Sequence, residues 1–340
     1  MDKMNIIVLM GGISGERNVS LSGGVSICNA LESKGHTVTA VDPALGFNCV
    51  LDYKNISIPN QTPNEEELEK YHSKNFIDAI SNQVFDTCDV VFNLVHGHWG
   101  EDGRLQALLD LKGLPYTGSG VRASAIAMNK IHTKMLFQSG GVLTPDWTHF
   151  SKTEIEDYDK IKETRDHFRG NLVIKPADQG SALGLTIVKN GNLDDIHEGL
   201  VLASKLTKNI LVEEYIEGKE LTVTIIDGEV YPIIEIIPHD GIYDYSNKYT
   251  AGNTDYICPA EIDESVAEFI LNTADMANRL VGGRSFSRVD FRLNDDLQPF
   301  CLEVNTIPGF TDTSLVPMAA KASGVEFPEL CEKICEMALE

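Results

Sequence analysis

The chain has 340 residues, of which 42% are hydrophobic, and a formal net charge of -23. This length allows two or three domains, and the hydrophobic content is that of packed globular structure, which excludes a disordered protein. Nucleic-acid binding is also excluded, because it needs a concentrated basic surface; an anionic ligand would have to be held locally by lysines, helix N-termini or a metal.

The first predicted elements form a β-turn-α-β unit. Residues 5–10, NIIVLM, are an apolar strand, followed by the glycine turn GGISGE, a helical pattern and a second strand, HTVTAVD. This order indicates an open parallel sheet whose ligand crevice lies at the carboxyl ends of the strands. The turn lacks the G-x-G-x-x-G spacing of dinucleotide-binding proteins. Residues 52–84, with the acidic NEEELEK, are predicted to be a surface excursion.

A third buried strand, DVVFNLV, ends in the polar, glycine-rich loop HGHWGEDG at the same edge of the sheet. His96 and Glu101 in this loop are candidates for a binding site, although ordinary turn and cap residues give the same pattern. RLQALLDLKG then predicts a helix closed by glycine. LPYTGSG and ASAIAMNKIHTKMLFQSGG predict a turn and one further helix.

From residue 171 two β-rich runs flank a loop of small residues, NLVIKPADQGSALGLTIVKN. Lys175 lies at the inner end of the first run, where it can meet a phosphate, and the loop can offer backbone N–H groups or close as a lid. A hairpin tip with a solvated lysine fits the pattern equally well. ILVEEYIEGKELTVTIIDG predicts another strand pair, and the long loop GIYDYSNKYTAGNT has the length of a functional loop.

Residues 286–306 are predicted to form a β-hairpin, SRVDFRL and FCLEVNT, joined by the polar link NDDLQ. Strand alternation places Glu303 and Asn305 on one face and Leu302 and Val304 on the other. An ionised carboxylate inside a strand is costly unless a charge compensates it. The face that carries Glu303 therefore needs an explanation.

The first strand of this hairpin adds Asp290 to the polar face, with Arg288 beside it. Two carboxylates and an amide oxygen are ligands that magnesium prefers, usually together with water and phosphate oxygens. A face of charges that are merely solvated is the alternative. The residues of the hairpin alone favour neither.

Cysteine usage and the N-terminal run indicate the compartment. Seven cysteines are scattered without a C-x-x-C pair, which fits a reducing environment. The run NIIVLMGG is too short for a signal peptide, and no segment reaches the ~20 apolar residues needed to span a bilayer. We therefore expect a soluble cytoplasmic protein that does not associate with membranes.

Nine motifs follow one another along nearly the whole chain: GGISGERNVS, HGHWGEDGRLQ, YTGSGVRASA, MNK, VIKPADQGSALG, VEEYIEGKE, YDYSNKYT, SRVDF and LEVNTIPG. This series resembles the D-alanine–D-alanine ligases of the ATP-grasp superfamily. Each motif alone is unspecific, but nine in this order, with the long stretches LEVNTIPGFTDTSL and GSGVRASA, are specific.

The resemblance implies an α/β and α+β fold with three-domain ATP-grasp architecture. An N-terminal domain with an open parallel sheet would span residues 1–125, a small central domain with the lid loop 126–212, and a C-terminal domain with the metal site 213–340. The implied activity is ATP-dependent joining of two D-alanines through an acyl phosphate, for peptidoglycan synthesis. The family pattern also implies a homodimer.

The resemblance further implies ligands for ATP and for two magnesium ions, which manganese can replace. The implied metal ligands are Asp290, Glu303 and Asn305. The implied phosphate-contacting lysines are Lys130 and Lys175. The implied contacts near adenine and ribose are Glu213 and Glu220.

The family pattern also assigns the residues around the amino-acid substrates. Glu16 would hold the first ammonium group with His96 nearby, and Ser181 and Tyr249 would join Glu16 in a hydrogen-bonded triad. Lys248 would lie near the phosphate. The implied oxyanion contacts are Arg288 and the backbone N–H of Gly309, and the implied contact to the second carboxylate is Ser314.

The chain departs from the family pattern at five positions. Asn129 and Gln179 stand where acids are usual, as does Asn18, and these changes leave the nucleotide and metal positions intact. Asp312 and Thr313 replace a common Ser-His pair just before Ser314, beside the second substrate. The identity of that substrate is therefore the open point.

Three other functions compete with this expectation. A relative that joins D-alanine to D-serine, or to an amine of a secondary pathway, is the first, motivated by the altered pair at 312–313. A nucleotide-binding regulator without catalysis is the second, but it has no need for the full set of residues. A dinucleotide-dependent oxidoreductase is the third and lacks its fingerprint.

Overall fold

The computed structural model describes residues 3–59, 61–168, 170–239 and 252–340. Its strands are β1 Asn5–Leu9, β2 Thr37–Val41, β3 Val90–Asn93, β4 Trp147–Ser151, β5 Leu172–Pro176, β6 Thr186–Val188, β7 Asn209–Glu214, β8 Lys219–Ile226, β9 Glu229–Val230, β10 Ile234–Pro238, β11 Thr254–Ile257, β12 Phe286–Leu293 and β13 Pro299–Asn305. Its α-helices are α1 Arg17–Ser33, α2 Glu65–Leu68, α3 Asn75–Ile80, α4 Arg104–Lys112, α5 Val121–Met128, α6 Lys130–Gly140, α7 Tyr158–Phe168, α8 Leu193–Ser204, α9 Glu264–Val281, α10 Leu315–Ala322 and α11 Phe327–Met337. Of the helices in these ranges, none is both long and apolar enough to cross a membrane.

The first sheet is parallel, with the strand order β2-β1-β3. β3 is fully buried and β1 nearly so, as expected for strands covered on both faces. This is the open parallel sheet predicted from the β-turn-α-β order. The carboxyl ends of β1 and β3 meet at one edge, where Leu94 N donates to Leu9 O at 2.9 Å. The loops GGISGE and HGHWGEDG therefore lie side by side.

The excursion at 52–84 is only partly a surface feature. It contains α2 and α3, and Phe76 and Ile80 of α3 are buried in the core of the first sheet. The acidic composition of NEEELEK obscured this contribution, because the apolar residues that reach the core follow it. The expectation of a surface excursion is therefore corrected for α3.

The predicted strand pair in ILVEEYIEGKELTVTIIDG is wrong, because β7 and β8 belong to different sheets. β7 lies in the second sheet, of order β4-β7-β5-β6, and β8 in the third, of order β11-β10-β8-β12-β13 with β9 on β8. The turn between them passes close to β12: a Cβ on Gly218, whose φ is +128°, would lie 2.0 Å from Leu293 O. This glycine turn carries the chain from one sheet to the next.

The predicted helix over ASAIAMNKIHTKMLFQSGG is two helices, α5 and α6, which are separated at Asn129. Asn129 has extended backbone geometry, and its side chain caps α6 by accepting from His132 N at 3.2 Å. Asparagine and aspartate are both good N-caps, so the departure at this position preserves the break.

The C-terminal helices join the third sheet to the first. α10 and α11 share one apolar core with α1, β1 and β3. Glu332 on α11 contacts Lys34 Nζ at 3.0 Å and His36 Nε2 at 3.1 Å, just before β2. The first and last parts of the chain are thus packed as one body around the loops described next.

The expected domain boundaries fall inside elements of the structure. The boundary at 125/126 lies within α5 and that at 212/213 within β7, which stays in the second sheet as far as Glu214. The division into three units and its limits stay a prediction.

Candidate active site

Glu16 lies where the first glycine turn meets α1. Gly11 and Gly12 both have positive φ, and a Cβ on Gly12 would lie 2.5 Å from the Val95 side chain, so only glycine fits there. Glu16 is buried, and its N–H donates to Ser14 Oγ, which in turn donates to His96 O at 2.7 Å. The turn is thereby tied to the HGHWGEDG loop.

His96 is buried beside Glu101 in that loop. Glu101 Oε2 accepts from Gly97 N at 2.6 Å, and its Oε1 lies 3.9 Å from His96 Nδ1. Burial opposes the charged form of His96, but the nearby Glu101 and Glu16 carboxylates raise its pKa above the usual value. The imidazole is therefore a potential cation next to Glu16.

The loop between β5 and β6, residues 177–185, reaches across to Glu16. Ser181, with a φ of +50°, donates a hydrogen bond from Oγ to the Glu16 carboxylate. A Cβ on Gly180 would lie 2.7 Å from Glu16 Oε2, so the backbone itself touches the acid. Two members of the expected triad are thus in contact. Tyr249 and Lys248 lie outside the described residues.

Glu213 is enclosed by two lysines. Its Oε1 lies 2.5 Å from Lys175 Nζ and its Oε2 lies 2.8 Å from Lys134 Nζ. Burial acts to raise the pKa of Glu213, but the two ammonium groups outweigh it, and the pKa is lowered. The Lys175 side chain is only 12% exposed, and the charges of Glu213 and Glu303 raise its pKa against this desolvation.

Lys134 was missed by the sequence reasoning. It is fully buried, donates to Thr144 Oγ1 at 2.6 Å and contacts Glu213; burial lowers its pKa, and Glu213 offsets this only in part. Its spacing of four residues from Lys130 places both lysines on one face of α6, which was the available signal.

Lys130, the first residue of α6, links the lid loop to the hairpin. Its Nζ lies 3.0 Å from Glu303 Oε2 and donates to Gln179 O at 2.7 Å. The expected phosphate-binding lysine is therefore already in contact with one expected metal ligand.

The predicted hairpin is β12 and β13. Asp290 pairs with Glu303 and Arg288 with Asn305 across the strands. Arg288 donates to both Asp290 oxygens, from Nε at 2.8 Å and from Nη2 at 2.7 Å. The charges of this face are thus compensated by protein cations, which answers the question that its carboxylates raise.

The predicted alternation of side chains between the two faces of β13 fails at Leu302. A β-bulge between Asp290 and Phe291 makes Phe291 pair with Cys301, so Cys301 instead of Leu302 joins Val304 in the apolar core. Leu302 is the extra residue of the bulge, and it changes which side chains of β13 point to the core. Glu303 and Asn305 keep their common face because both lie after the bulge.

Magnesium or manganese fits the donor set of this hairpin. Asp290, Glu303 and Asn305 present hard oxygens on opposed positions of two strands, and all three are partly exposed. Asn305 Oδ1 accepts from Ile307 N at 3.0 Å, which fixes the amide so that its oxygen faces a defined direction. Within the described residues no three or more His, Cys, Asp or Glu side chains are grouped so that they could hold a metal ion, so the amide of Asn305 is needed to complete the proposed set.

The remaining expected residues are Glu220 on β8 and the pair Gly309 and Ser314 before α10. Glu220 Oε2 lies 3.2 Å from Nη1 of Arg292, which is two residues beyond Asp290 on β12. Ser314 precedes α10, and its Oγ accepts from Thr311 N at 2.9 Å. A Cβ on Gly309 would lie 3.5 Å from this Oγ, so Gly309 and Ser314 are neighbours.

A cavity that is open to solvent lies between the lid loop and the hairpin. Its polar lining comes from all three parts of the chain: Glu101, Lys130, Gln179, Gly180, Glu303 and Asn305. Two antiparallel sheets, a small-residue lid, paired lysines and an acidic hairpin together define an ATP-grasp enzyme, and the expected fold class is confirmed by the structural comparisons that follow.

The two halves of the chain match the family models D-ala D-ala ligase N-terminus, over residues 5–119, and D-ala D-ala ligase C-terminus, over residues 136–336. The chain belongs to the D-alanine–D-alanine ligase family. It is 38% identical over 336 residues to the D-alanine–D-alanine ligase of Magnetococcus marinus, covering 97% of this chain and 96% of that protein. With that of Moorella thermoacetica it shares 39% over 343 residues, covering 99% and 100%.

Solved structures agree with this membership. The D-alanine–D-alanine ligase from Bacillus anthracis complexed with ATP is 27% identical, with a TM-score of 0.76, covering 100% of this chain and 98% of that one. The VanG D-Ala:D-Ser ligase from Enterococcus faecalis is 25% identical, with a TM-score of 0.78, covering 99% and 100%. The fold alone therefore does not separate the two acceptor amino acids.

Proposed function

We propose that this protein joins two D-alanines with ATP, through an acyl phosphate, to supply D-alanyl-D-alanine for peptidoglycan synthesis. The observation that carries the proposal is that one loop joins both parts of the site: Ser181 contacts Glu16, and its neighbour Gly180 lines a cavity together with Lys130 and Glu303. The loop thus connects an acid suited to an ammonium group with a cation suited to phosphates.

The reaction has two steps. A carboxylate oxygen of the first D-alanine attacks the γ-phosphorus of ATP, and the bond to ADP breaks. The amine of the second D-alanine then attacks the carbonyl carbon, loses a proton, and inorganic phosphate leaves. Negative charge grows on the transferring phosphoryl group and on the tetrahedral oxygen, so fixed positive groups should supply most of the acceleration.

We assign the amino-acid contacts as follows. Glu16 accepts from the first ammonium group, and His96 adds a partner beside it. Arg288 and the backbone N–H of Gly309 stabilise the tetrahedral oxygen. Ser314, next to Gly309, donates to the second carboxylate. Asp312 and Thr313 are exposed, which supports a contact to the second carboxylate from Ser314 alone.

The nucleotide contacts use lysines with little solvent exposure. Lys130 and Lys175 bind phosphate oxygens, while Glu213 and Glu220 accept from adenine and ribose. Because Lys134 holds the second oxygen of Glu213, Lys175 can turn toward a phosphate without leaving that carboxylate unpaired. Lys134 is therefore included among the residues that organise the nucleotide site.

Two magnesium ions would be held by Asp290, Glu303 and Asn305. When bound, they neutralise phosphate charge and fix the in-line geometry of transfer. Arg288 and Lys130 occupy the same carboxylates here, so each cation can move to substrate oxygens as a metal takes its place. Closure of the 177–185 loop, together with Tyr249 and Lys248, would exclude water from the acyl phosphate.

The test is a substrate panel. The purified protein is incubated with ATP, magnesium and single or paired D- and L-amino acids, and both phosphate and dipeptide are measured. We expect D-alanyl-D-alanine with equal phosphate. Turnover with L-amino acids alone, or a clear preference for D-serine as second substrate, would contradict the proposal. The D-serine alternative is not favoured, because the relatives similar over the full length are named D-alanine–D-alanine ligases.

We also propose that the protein is cytoplasmic and binds neither nucleic acid nor membranes. All seven cysteines are free thiols, which supports a reducing compartment.

We propose in addition that the protein is a homodimer. Phe47 and Ile77 are 66% and 57% exposed on adjacent helical segments of the N-terminal region, and such a patch suits a second copy of the chain. Sedimentation of the wild type and of Phe47→Glu separates a dimer from a monomer.

A further inference from the structure

The lid loop makes a second contact with the N-terminal region, through Gln179 and His98. The Nε2 atoms of the two side chains are 2.8 Å apart, and Gln179 Nε2 also donates to Leu206 O at 3.3 Å. The carbonyl of Gln179 accepts from Lys130. Groups from three separate segments therefore hold this one residue of the lid.

Asp102 sets the tautomer of His98. Its Oδ2 lies 3.6 Å from His98 Nδ1 and accepts from Trp99 N at 2.9 Å. Burial acts to raise the pKa of Asp102, but the contact with His98 and the hydrogen bonds from Trp99 N and Arg104 N lower it, so the group is ionised. A carboxylate at Nδ1 favours the proton there, which leaves the Nε2 lone pair to accept from the Gln179 amide.

Protonation of His98 is incompatible with this arrangement. An imidazolium has N–H groups at both nitrogens, so two donors would face each other between His98 and Gln179. Turning the amide over would give His98 an acceptor, but it would set Gln179 Oε1 against Leu206 O. The observed contacts therefore require neutral His98.

Three charged neighbours act on the pKa of His98. The contact with the Asp102 carboxylate raises this pKa, burial opposes the rise, the charge of Asp178 raises it further, and Arg104 lowers it. The net direction is upward from the ordinary value of about 6.5. His98 thus gains its proton at a pH somewhat higher than a solvated histidine does.

We propose that His98 is a positioning residue, which holds the lid loop closed through Gln179 and releases it on protonation. The proposal rests on the proposed function, because a released lid exposes the acyl phosphate to water. As pH falls through the His98 titration, more phosphate should then be released for each dipeptide formed.

The first test measures dipeptide formed per phosphate between pH 5.5 and 9. We expect this ratio to fall in the wild type at low pH, and to be about fivefold lower in Gln179→Ala at high pH, the effect of one lost hydrogen bond. Gln179→Glu should reverse the profile, since a carboxylate pairs with the imidazolium. His197→Gln, on α8, where the ring stacks on Tyr158 of α7, is the matched control and should follow the wild type.

The second test needs neither ATP nor amino acids. The ring signals of His98 are titrated by NMR in the full chain. Loss of the amide donor should raise the His98 pKa by about half a pH unit in Gln179→Ala, and Gln179→Glu should raise it more. Equal His98 titration in all three proteins, or a pH-independent ratio in the wild type, overturns the proposal. If no dipeptide forms at any pH, the proposed function fails, and the titration still decides whether the contact exists.

Discussion

Lys134 and Glu213 are both inaccessible to solvent, so each depends on the other for its charge. In Lys134→Met we expect a loss of about 3–5 kcal/mol in the free energy of unfolding, because Glu213 keeps only Lys175. Urea denaturation measures this.

The matched control for that variant is Lys160→Met, which removes a more exposed ion pair with Glu154 and should cost less than about 1 kcal/mol. Equal losses in the two variants would show that the buried pair is not stabilised as described.

Glu303 is partly exposed and contributes little to packing, so its removal should affect activity more than stability. In Glu303→Gln we expect phosphate release to fall at least ~100-fold, because the proposed role of Glu303 is to hold a metal that neutralises phosphate charge. Thermal unfolding in the absence of magnesium should be unchanged within a few degrees. Glu268→Gln, on the exposed face of α9, is the control, and retained activity in Glu303→Gln would refute the assigned role.

The part of the site that the sequence predicted best was the placement of residues within one motif. Residues within one motif, such as Glu303 and Asn305, share a face because alternation is local. Lys134 and the His98–Gln179 contact were missed, since each joins segments far apart in the chain. The cation that compensates Glu303 is Lys130, and only the fold shows that α6 begins beside the hairpin.

The lid loop is the element on which closure depends, and Gly180 brings its backbone against Glu16. Gly180→Ala should lower kcat/KM at least ~10-fold, because a Cβ 2.7 Å from Glu16 Oε2 forces the loop away from the acid. Steady-state kinetics with D-alanine measures the effect. Gly120→Ala is the matched control: its Cβ would have no contact closer than 3.7 Å, and its activity should be normal. Equal kinetics in both variants would contradict the described closure.

Elements were predicted well where their signals are local. The first strand, α4 with its glycine cap, and the β12–β13 hairpin follow from periodicity and turn residues. Three features did not follow. The bulge at Leu302 breaks alternation, Asn129 splits one apolar pattern into two helices, and the turn at Gly218 separates β7 from β8. The turn at Gly218 and the bulge depend on contacts with β12, whereas the break at Asn129 is a local cap hidden within an apolar pattern.

At the scale of the whole molecule, Glu332 connects the last helix to the first sheet through its contacts with Lys34 and His36. Burial acts to raise its pKa, but Lys34 and His36 lower it below the usual value. A carboxyl with a lowered pKa stabilises the fold above its unfolded pKa, and this contribution disappears as pH falls through the folded pKa. Glu332→Gln should therefore lower Tm by ~2–4 °C at pH 7, with the difference disappearing in acid.

Calorimetry of both proteins from pH 3 to 8 checks this dependence. Glu326→Gln, just before the same helix, is the control, because no ion pair of Glu326 is found among the described residues. A Tm difference for Glu332→Gln that persists at pH 3 would place its effect outside the ion pairs.

The arrangement of the three sheets could be expected only through the order of the nine motifs. Periodicity gives the first parallel sheet, but it does not show that α10 and α11 return to pack on it. This return brings Phe310, next to Gly309, against Gly23 of α1.

The most direct test of the central claim follows the oxygen atoms of the first substrate. D-Alanine labelled with ¹⁸O in its carboxylate is incubated with ATP, magnesium and the protein, and the products are analysed by mass spectrometry. An acyl phosphate intermediate predicts one ¹⁸O atom in the inorganic phosphate for each D-alanyl-D-alanine formed. Dipeptide accompanied by unlabelled phosphate, or no dipeptide at all, would contradict the account.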